Sequence, residues 1–174
     1  AHYLEKNYHL PILDADLLAR EAVNIDSPIL QQIITRYGQE ICLENGELNR
    51  RKLGEIIFQD PKEKDWLERK IHPYVRQKLE AGIKDCGYHT LILVIPLLFE
   101  AKMTDLVTEI WVVTCPLEIQ IQRLMQRNSL RETEARVRIN SQMPLTEKVK
   151  MADQVIDNSS SLAALWSKIE QAIA

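Results

Sequence analysis

The sequence predicts an α/β fold, a parallel sheet flanked by helices, and three observations carry that prediction. Short apolar runs near 11–15, 90–96, 109–115 and 154–157 have the length and composition of strands, and helical periodicity separates them. Such alternation builds parallel sheets, because parallel neighbours need a crossover between them. Thr90 to Leu98 is apolar except at its ends, as expected of a central strand covered on both faces. Asp14 and Asp16 arrive where the first strand should stop, and open parallel sheets bind ligands just beyond the carboxyl ends of their strands.

In chain order, Ile12-Leu13 follows Pro11 and suits a buried strand. If the backbone stays extended through Ala15, Asp14 and Asp16 share one face, since side chains alternate along a strand. Leu17 to Arg20 then forms a first helical turn, with Arg20 four residues after Asp16 and within its reach. Asp16 can equally serve as the N-cap of that helix.

Ser27-Pro28 is a helix start, and Gly38 a stop. Asn45-Gly46 marks a turn, and Asn49 can cap a short helix with Leu53, Ile56 and Ile57 inward. Asp60-Pro61 opens another helix, with Glu63 in capping-box position and Trp66, Leu67, Ile71, Val75 and Leu79 as its inner stripe. Pro73 must kink or divide it. Residues 27–86 are therefore a run of helices between two strands, longer than a crossover needs and suited to a substrate-holding subdomain.

Pro116 stands at the start of a helix from Leu117, in which Arg123 and Arg127 lie four apart on one side. Ser129-x-x-Glu132 has capping-box spacing and predicts a second helix running to about Ser141. Leu162, Leu165, Trp166, Ile169 and Ile173 give the last helix an amphipathic stripe.

Composition narrows the function classes. A chain of 174 residues with 45% hydrophobic content can bury the core of one domain. A net charge of −3 and a pI of about 5.9 argue against a general nucleic-acid or membrane-surface binder. The longest apolar run is too short to span a bilayer, and no signal-peptide pattern is expected because Glu5 and Lys6 interrupt the opening stretch. Cys42, Cys86 and Cys115 are far apart and odd in number, which points to free thiols in a reducing compartment and away from a metal cluster.

Residues 118–150 stand apart in charge. Seven basic side chains (Arg123, Arg127, Arg131, Arg136, Arg138, Lys148, Lys150) face four acids (Glu118, Glu132, Glu134, Glu147), a balance of +3 inside a chain of −3. One reading is a solvated helix pair laced by intrahelical ion pairs. The other is a mobile lid that brings arginine to phosphate, whose oxygens the planar guanidinium binds bidentately.

Ordered segments give the chain a family likeness. Asp14-Ala15-Asp16 with Ala19-Arg20 comes first, then Leu48-Asn49-Arg50-Arg51-Lys52-Leu53 with Ile57-Phe58, and His72-Pro73. Pro96-Leu97-Leu98-Phe99-Glu100, Gln126-Arg127-Asn128, the run from Arg138 to Leu145, and Ala152-Asp153 with Val155 to Asn158 follow in order. Together they resemble the dephospho-coenzyme A kinases over almost the whole chain.

The resemblance implies a five-stranded sheet of phosphate-loop NTPase kinase type, a helical coenzyme-binding subdomain at 27–86 and a lid at 118–150 within one kinase domain. It implies a cytoplasmic enzyme that uses Mg²⁺ and ATP to phosphorylate the ribose 3′-hydroxyl of dephospho-coenzyme A. Nucleic acid and membrane are not expected as partners. Asp16 is then the candidate base for the hydroxyl, and Asp14 would orient Mg²⁺-bound water or a neighbouring cation; no residue is assigned as a metal ligand. Arg127 matches the lid motif best, with Arg138 second, and Asn158 is a candidate adenine contact that an ordinary turn role would equally explain. Arg20, Arg50, Arg51, His72, Pro73 and Arg76 are candidate coenzyme contacts, with Leu97, Leu98 and Phe99 as a possible cleft wall that ordinary core packing would equally explain.

One departure bears on this. The family opens with a strand and a glycine-rich loop of the G-x-x-x-x-G-K-[ST] type, whereas the first glycine here is Gly38 and no Gly-Lys-Ser/Thr occurs. The stretch Ala1 to Tyr8 is expected to be the helix that follows that loop. Without the family's central first strand, the sheet is expected to expose unpaired edges and to be poorly stable. A non-catalytic module that keeps the coenzyme surface, or another small-molecule kinase of the same fold, are the alternative readings.

Overall fold

The computed structural model describes residues 1–173, and the chain divides into two compact units, Ala1–Pro96 and the remainder from Leu97. The first unit runs α1 (His2–Tyr8), β1 (Ile12–Asp14), α2 (Ala15–Glu21), α3 (Pro28–Tyr37), α4 (Arg50–Gln59), α5 (Pro61–Asp85) and β2 (Ile92–Val94), with a 3₁₀ turn at Gln39–Ile41. β1 and β2 pair in parallel, Ile12 opposite Ile92 and Asp14 opposite Val94. The second unit runs β3 (Trp111–Thr114), α6 (Leu117–Asn128), α7 (Glu132–Asn140), α8 (Leu145–Lys150), β4 (Gln154–Asp157) and α9 (Leu162–Ile173), after a 3₁₀ turn at Thr104–Leu106. β3 pairs in parallel with β4, Trp111 opposite Gln154 and Thr114 opposite Asp157.

The α/β class and all four expected strands are therefore present. The described strands pair within each unit, β1 with β2 and β3 with β4. β2 correspondingly is half-buried along its length, not covered on both faces as its composition suggested. Within its own unit β1 is its one strand neighbour.

Local chemistry explains most boundaries. Ser27 Oγ accepts the Leu30 N–H at 3.1 Å with Pro28 at the first helical position, and Gly38 at φ 84° ends α3 in the left-handed region that glycine tolerates. Asn49 accepts the Lys52 N–H and starts α4. Asp60 accepts the Lys62 N–H and starts α5, but Glu63 does not complete a capping box. It turns to α3, where Arg36 donates to it through Nε and Nη2 at 2.6 and 2.7 Å and the Tyr37 hydroxyl also donates. A two-bond guanidinium fork plus a phenol outcompetes a single local N–H.

Ser129 likewise does not cap α7. It closes α6 at φ 52°, and the cap falls on Arg131, whose N–H donates to Glu134 at 2.8 Å.

Pro73 does not divide α5, which continues unbroken for 25 residues. A proline inside a helix costs about 3 kcal/mol, but Leu67, Val75 and Leu79 are buried on both sides of it, and α5 packs against α2 and α4. Burying three such side chains stabilises by roughly 1.5–3 kcal/mol each, so packing outweighs the lost bond. The core of this unit gathers Ala22, Val23, Leu30, Ile33, Ile41, Leu53 and Leu67. In the second unit the stripe of α9 is only partly used. The helix lies against β4 with Leu165 and Ile169 half-buried, while Leu162 and Trp166 remain 63% and 42% exposed.

The Arg36–Glu63 bond also sets a pH dependence. Arg36, then Tyr37, hold the Glu63 carboxyl down from 4.5 to about 2, while Arg36 is raised and Tyr37, partly desolvated, rises to about 12. A carboxylate whose folded pKa is depressed contributes stability above its unfolded pKa and loses it as pH falls through the folded one. The thermal stability of the native chain relative to Glu63→Gln is thus expected to be greatest at neutral pH and to vanish as pH drops from 4.5 toward about 2. Melting curves across that range check it, and a pH-independent difference would contradict it.

Candidate active site

At the carboxyl end of β1 the chain does not stay extended through Ala15. Asp14, with φ −110° and ψ 114°, is the N-cap of α2, and its Oδ1 accepts the N–H groups of Asp16 at 2.8 Å and Leu17 at 3.4 Å. Helix begins at Ala15, two residues earlier than the Leu17 start predicted, so the two carboxylates do not alternate along one strand face. Their surroundings differ instead. Asp14 is occupied by backbone, while Asp16 sits exposed in the first turn, where the helix dipole favours a negative charge. No ion pair joins Asp16 to Arg20 among the described residues.

Arg20 is found with Arg50. The Arg50 Nη2 donates to the Arg20 carbonyl at 3.1 Å. Desolvation and then the nearby Arg20 charge lower the Arg50 pKa, with Glu47 opposing. Neither guanidinium has a carboxylate in ion-pair range among the described residues. Arg51 and Arg76 differ, for they pair with Glu55 at 3.2 Å and Glu80 at 2.8 Å along their own helices. His72 and Pro73 lie midway along α5, half-buried and exposed respectively. Glu21, at the last residue of α2, accepts from the Tyr74 hydroxyl at 2.6 Å and Lys78 at 2.8 Å on α5, which ties the helix carrying Asp16 to its neighbour.

The second unit holds a cleft of about 1820 Å³ lined by residues of α6, α7, α8 and the ends of β3 and β4. The basic residues of this region sort into two groups. Arg131 pairs with Glu134, Arg136 with Glu132, Lys150 with Glu147, and Lys148 with Glu100. Arg123, Arg127 and Arg138 have no carboxylate within ion-pair distance among the described residues, and all three line the cleft. Ion pairs thus absorb four cations, and the other three line the cavity together with the paired Lys148 and Lys150. Arg127 Nε donates to Asn128 Oδ1 at 2.9 Å, and Arg123 Nη1 to the Asn158 carbonyl at 2.8 Å. Asn158 in turn donates its N–H to Thr114 at 2.7 Å, so the turn after β4 is fixed beside the cleft-lining Thr114 and Arg123. Asp157, held below the usual carboxylate range by Lys168 and Ser159, stiffens the same turn.

Leu97, Leu98 and Phe99 lie half-buried in the turns after β2, and their carbonyls accept from Ala101, Met103 and Lys102. Glu100 was not singled out from the sequence beyond its place in that motif, yet it accepts from the Met143 N–H at 3.0 Å and from Lys148 at 2.8 Å. Arg123 belongs to the same cleft but is not among the residues that the family motifs mark. Its four-residue spacing from Arg127 was the available signal, whereas a bond spanning 35 residues leaves none.

The fold has solved counterparts. The crystal structure of TT1252 from Thermus thermophilus superposes with a TM-score of 0.82 at 30% identity, covering 99% of this chain and 87% of that one. A dephospho-CoA kinase from Campylobacter jejuni gives a TM-score of 0.70 at 27% identity, covering 98% and 86%. The class is thus the α/β kinase of phosphate-loop type. A family model described as CoaE, dephospho-CoA kinase, matches residues 1–164. Proteins named dephospho-CoA kinase from Trichormus variabilis and a Nostoc species are 55% and 53% identical over 173 residues, in each case 99% of this chain and 88% of the relative. The chain belongs to the dephospho-CoA kinase family.

The capping geometry separates the two aspartates experimentally. Asp14→Ala is expected to lower the unfolding free energy by about 1 kcal/mol, the usual worth of an N-cap, and Asp16→Ala to leave it nearly unchanged. Denaturant titration of both variants checks this, and equal losses would contradict it.

Proposed function

We propose that Asp16 is the base, and Arg127 with Arg138 the phosphate clamp, of the reaction this family carries out. The chain is a phosphotransferase that moves the terminal phosphoryl group of ATP to the ribose 3′-hydroxyl of dephospho-CoA, giving CoA and ADP. Such a transfer depends on placing acceptor and donor in line and on cations around the phosphates. Asp16 accepts the hydroxyl proton as the 3′-oxygen attacks phosphorus and the bond to the ADP oxygen breaks. The observation that supports this reading most is the set of three cleft arginines left without carboxylate partners when every other cation of residues 118–150 is paired. Three unneutralised guanidiniums around one cavity favour a polyanion.

Arg20 and Arg50 suit the anionic part of dephospho-CoA for the same reason. Arg51 and Arg76, engaged with Glu55 and Glu80, suit it less. Leu97, Leu98 and Phe99 remain candidates for the cleft wall, and Asn158 for adenine. Residues 27–86 are taken as the coenzyme-holding subdomain and 118–150 as the lid.

No group of three or more His, Cys, Asp or Glu side chains among the described residues could cage a metal ion. Mg²⁺ needs no such cage, since it binds through one or two carboxylates together with the substrate phosphates. Asp14 at the end of β1, whose Oδ2 takes no part in the cap, would orient the water bound to such an ion. When bound, Mg²⁺ would neutralise charge on the ATP phosphates. No helix among the described residues is long and apolar enough to cross a membrane. A cytoplasmic setting accords with the free Cys42, Cys86 and Cys115. The full-length likeness to kinases weighs against a non-catalytic remnant.

Asp16→Asn in the full chain is expected to lower kcat by a factor on the order of 10²–10⁴, the usual contribution of a general base, with ATP affinity unchanged. Arg127→Ala is expected to raise the KM for ATP and lower kcat together. Steady-state kinetics with both substrates varied tests the two roles; full turnover in Asp16→Asn would remove the base.

A further inference from the structure

Glu100 lies in the turns after β2, 43 residues before Met143, yet its carboxylate sits against the Asn140–Pro144 joint between α7 and α8. One oxygen, Oε1, accepts both the Met143 N–H at 3.0 Å and Lys148 Nζ at 2.8 Å. The pair is well shielded, with 24% of the Glu100 side chain and 12% of Lys148 exposed. Desolvation works to raise the Glu100 pKa, but Lys148 and two backbone N–H groups prevail and hold it low, so the carboxylate is charged. The second oxygen, Oε2, is buried and makes no hydrogen bond. A buried polar atom without a partner calls for an explanation.

The joint has functional neighbours. Lys148 lines the same cleft as Arg127 and Arg138, as do Gln142, Met143 and Thr146. Other ion pairs of this stretch lie within one helix or at its cap, three or four residues apart. Glu100 reaches into this stretch from outside residues 118–150.

We propose that Glu100 is a positioning residue that anchors the carboxyl-terminal end of the cleft-forming helices, fixing the α7–α8 joint and aiming Lys148 at the cleft where the ATP phosphates bind. This rests on the reading of the cleft as the ATP site. Glu100 itself does not touch ATP; it acts through Lys148 and the Met143 backbone. The unpartnered Oε2 gives the ammonium a second acceptor on the same carboxylate. A negative charge at 100 is what the arrangement needs, because a neutral amide would satisfy Met143 but not hold the ammonium.

The test uses Glu100→Gln, Lys148→Met and the double variant in the full chain, with ATP affinity measured by calorimetry and amide exchange followed over residues 141–150. Glu100→Gln is expected to bind ATP about tenfold more weakly, a loss typical of a displaced binding group, to speed exchange in that segment, and to keep kcat at saturating ATP within about twofold, since the chemistry is untouched. The double variant is expected to be no worse than the weaker single variant, because the two residues act as one unit. Should Glu100→Gln fail to fold, Glu100→Asp takes its place, keeping the charge with a shorter reach and losing affinity in part. Native ATP affinity in a folded Glu100→Gln, or independent and additive losses in the double variant, would overturn the proposal. Arg127→Ala in parallel separates this from the ATP-site reading: a loss there with none in Glu100→Gln removes the anchor alone, and the reverse removes Arg127 and leaves the anchor.

Discussion

The carboxylate of Asp14 is the constraint on which the carboxyl end of β1 and the start of α2 depend. Its Oδ1 satisfies two N–H groups that the start of any helix leaves without intrahelical partners. By doing so it ends β1 and starts α2 within a single residue. That sharp change places Asp16 in the first helical turn at the strand's carboxyl end, exposed and free of local ion pairs among the described residues. Glu21 then secures the other end of the same short helix to α5 through Tyr74 and Lys78. A helix of seven residues would be marginal alone; held at both ends it becomes a rigid mount for a carboxylate.

The second unit solves a different electrostatic problem. Gathering positive charge around one cavity destabilises the protein that carries it, because like charges repel. Here acids three or four residues away neutralise Arg131, Arg136 and Lys150, at little structural cost. Arg123, Arg127 and Arg138 keep their charge directed into one cavity. Glu100 adds a long-range tie to this otherwise local scheme, and it does so at the joint between two helices.

Much of this was legible in the sequence, and the failures share a cause. The four strands, the Ser27 and Asn49 caps and the Gly38 stop follow from chemistry spanning a few residues, which the sequence displays directly. Glu63 and Ser129 had the right spacing for local caps, but a distant fork of hydrogen bonds claimed the first and a left-handed turn the second. Pro73 failed to divide α5 because buried side chains on both sides decided the matter. At the site, the aspartates and Arg127 came from a motif, and the motif could not tell which aspartate caps the helix. Which arginines are spare was likewise invisible, since Lys148 takes its partner from outside the segment.

The central proposal is that the exposed carboxylate after β1 and the cleft arginines serve one reaction. It is tested most directly by a crystal structure of the full chain with dephospho-CoA and a non-hydrolysable ATP analogue. The account predicts the ribose 3′-oxygen within hydrogen-bonding distance of the Asp16 carboxylate, about 2.6–3.2 Å, and phosphate oxygens on Arg127. A 3′-oxygen held by another base, with Asp16 facing solvent and the analogue's phosphates away from Arg127, would contradict it.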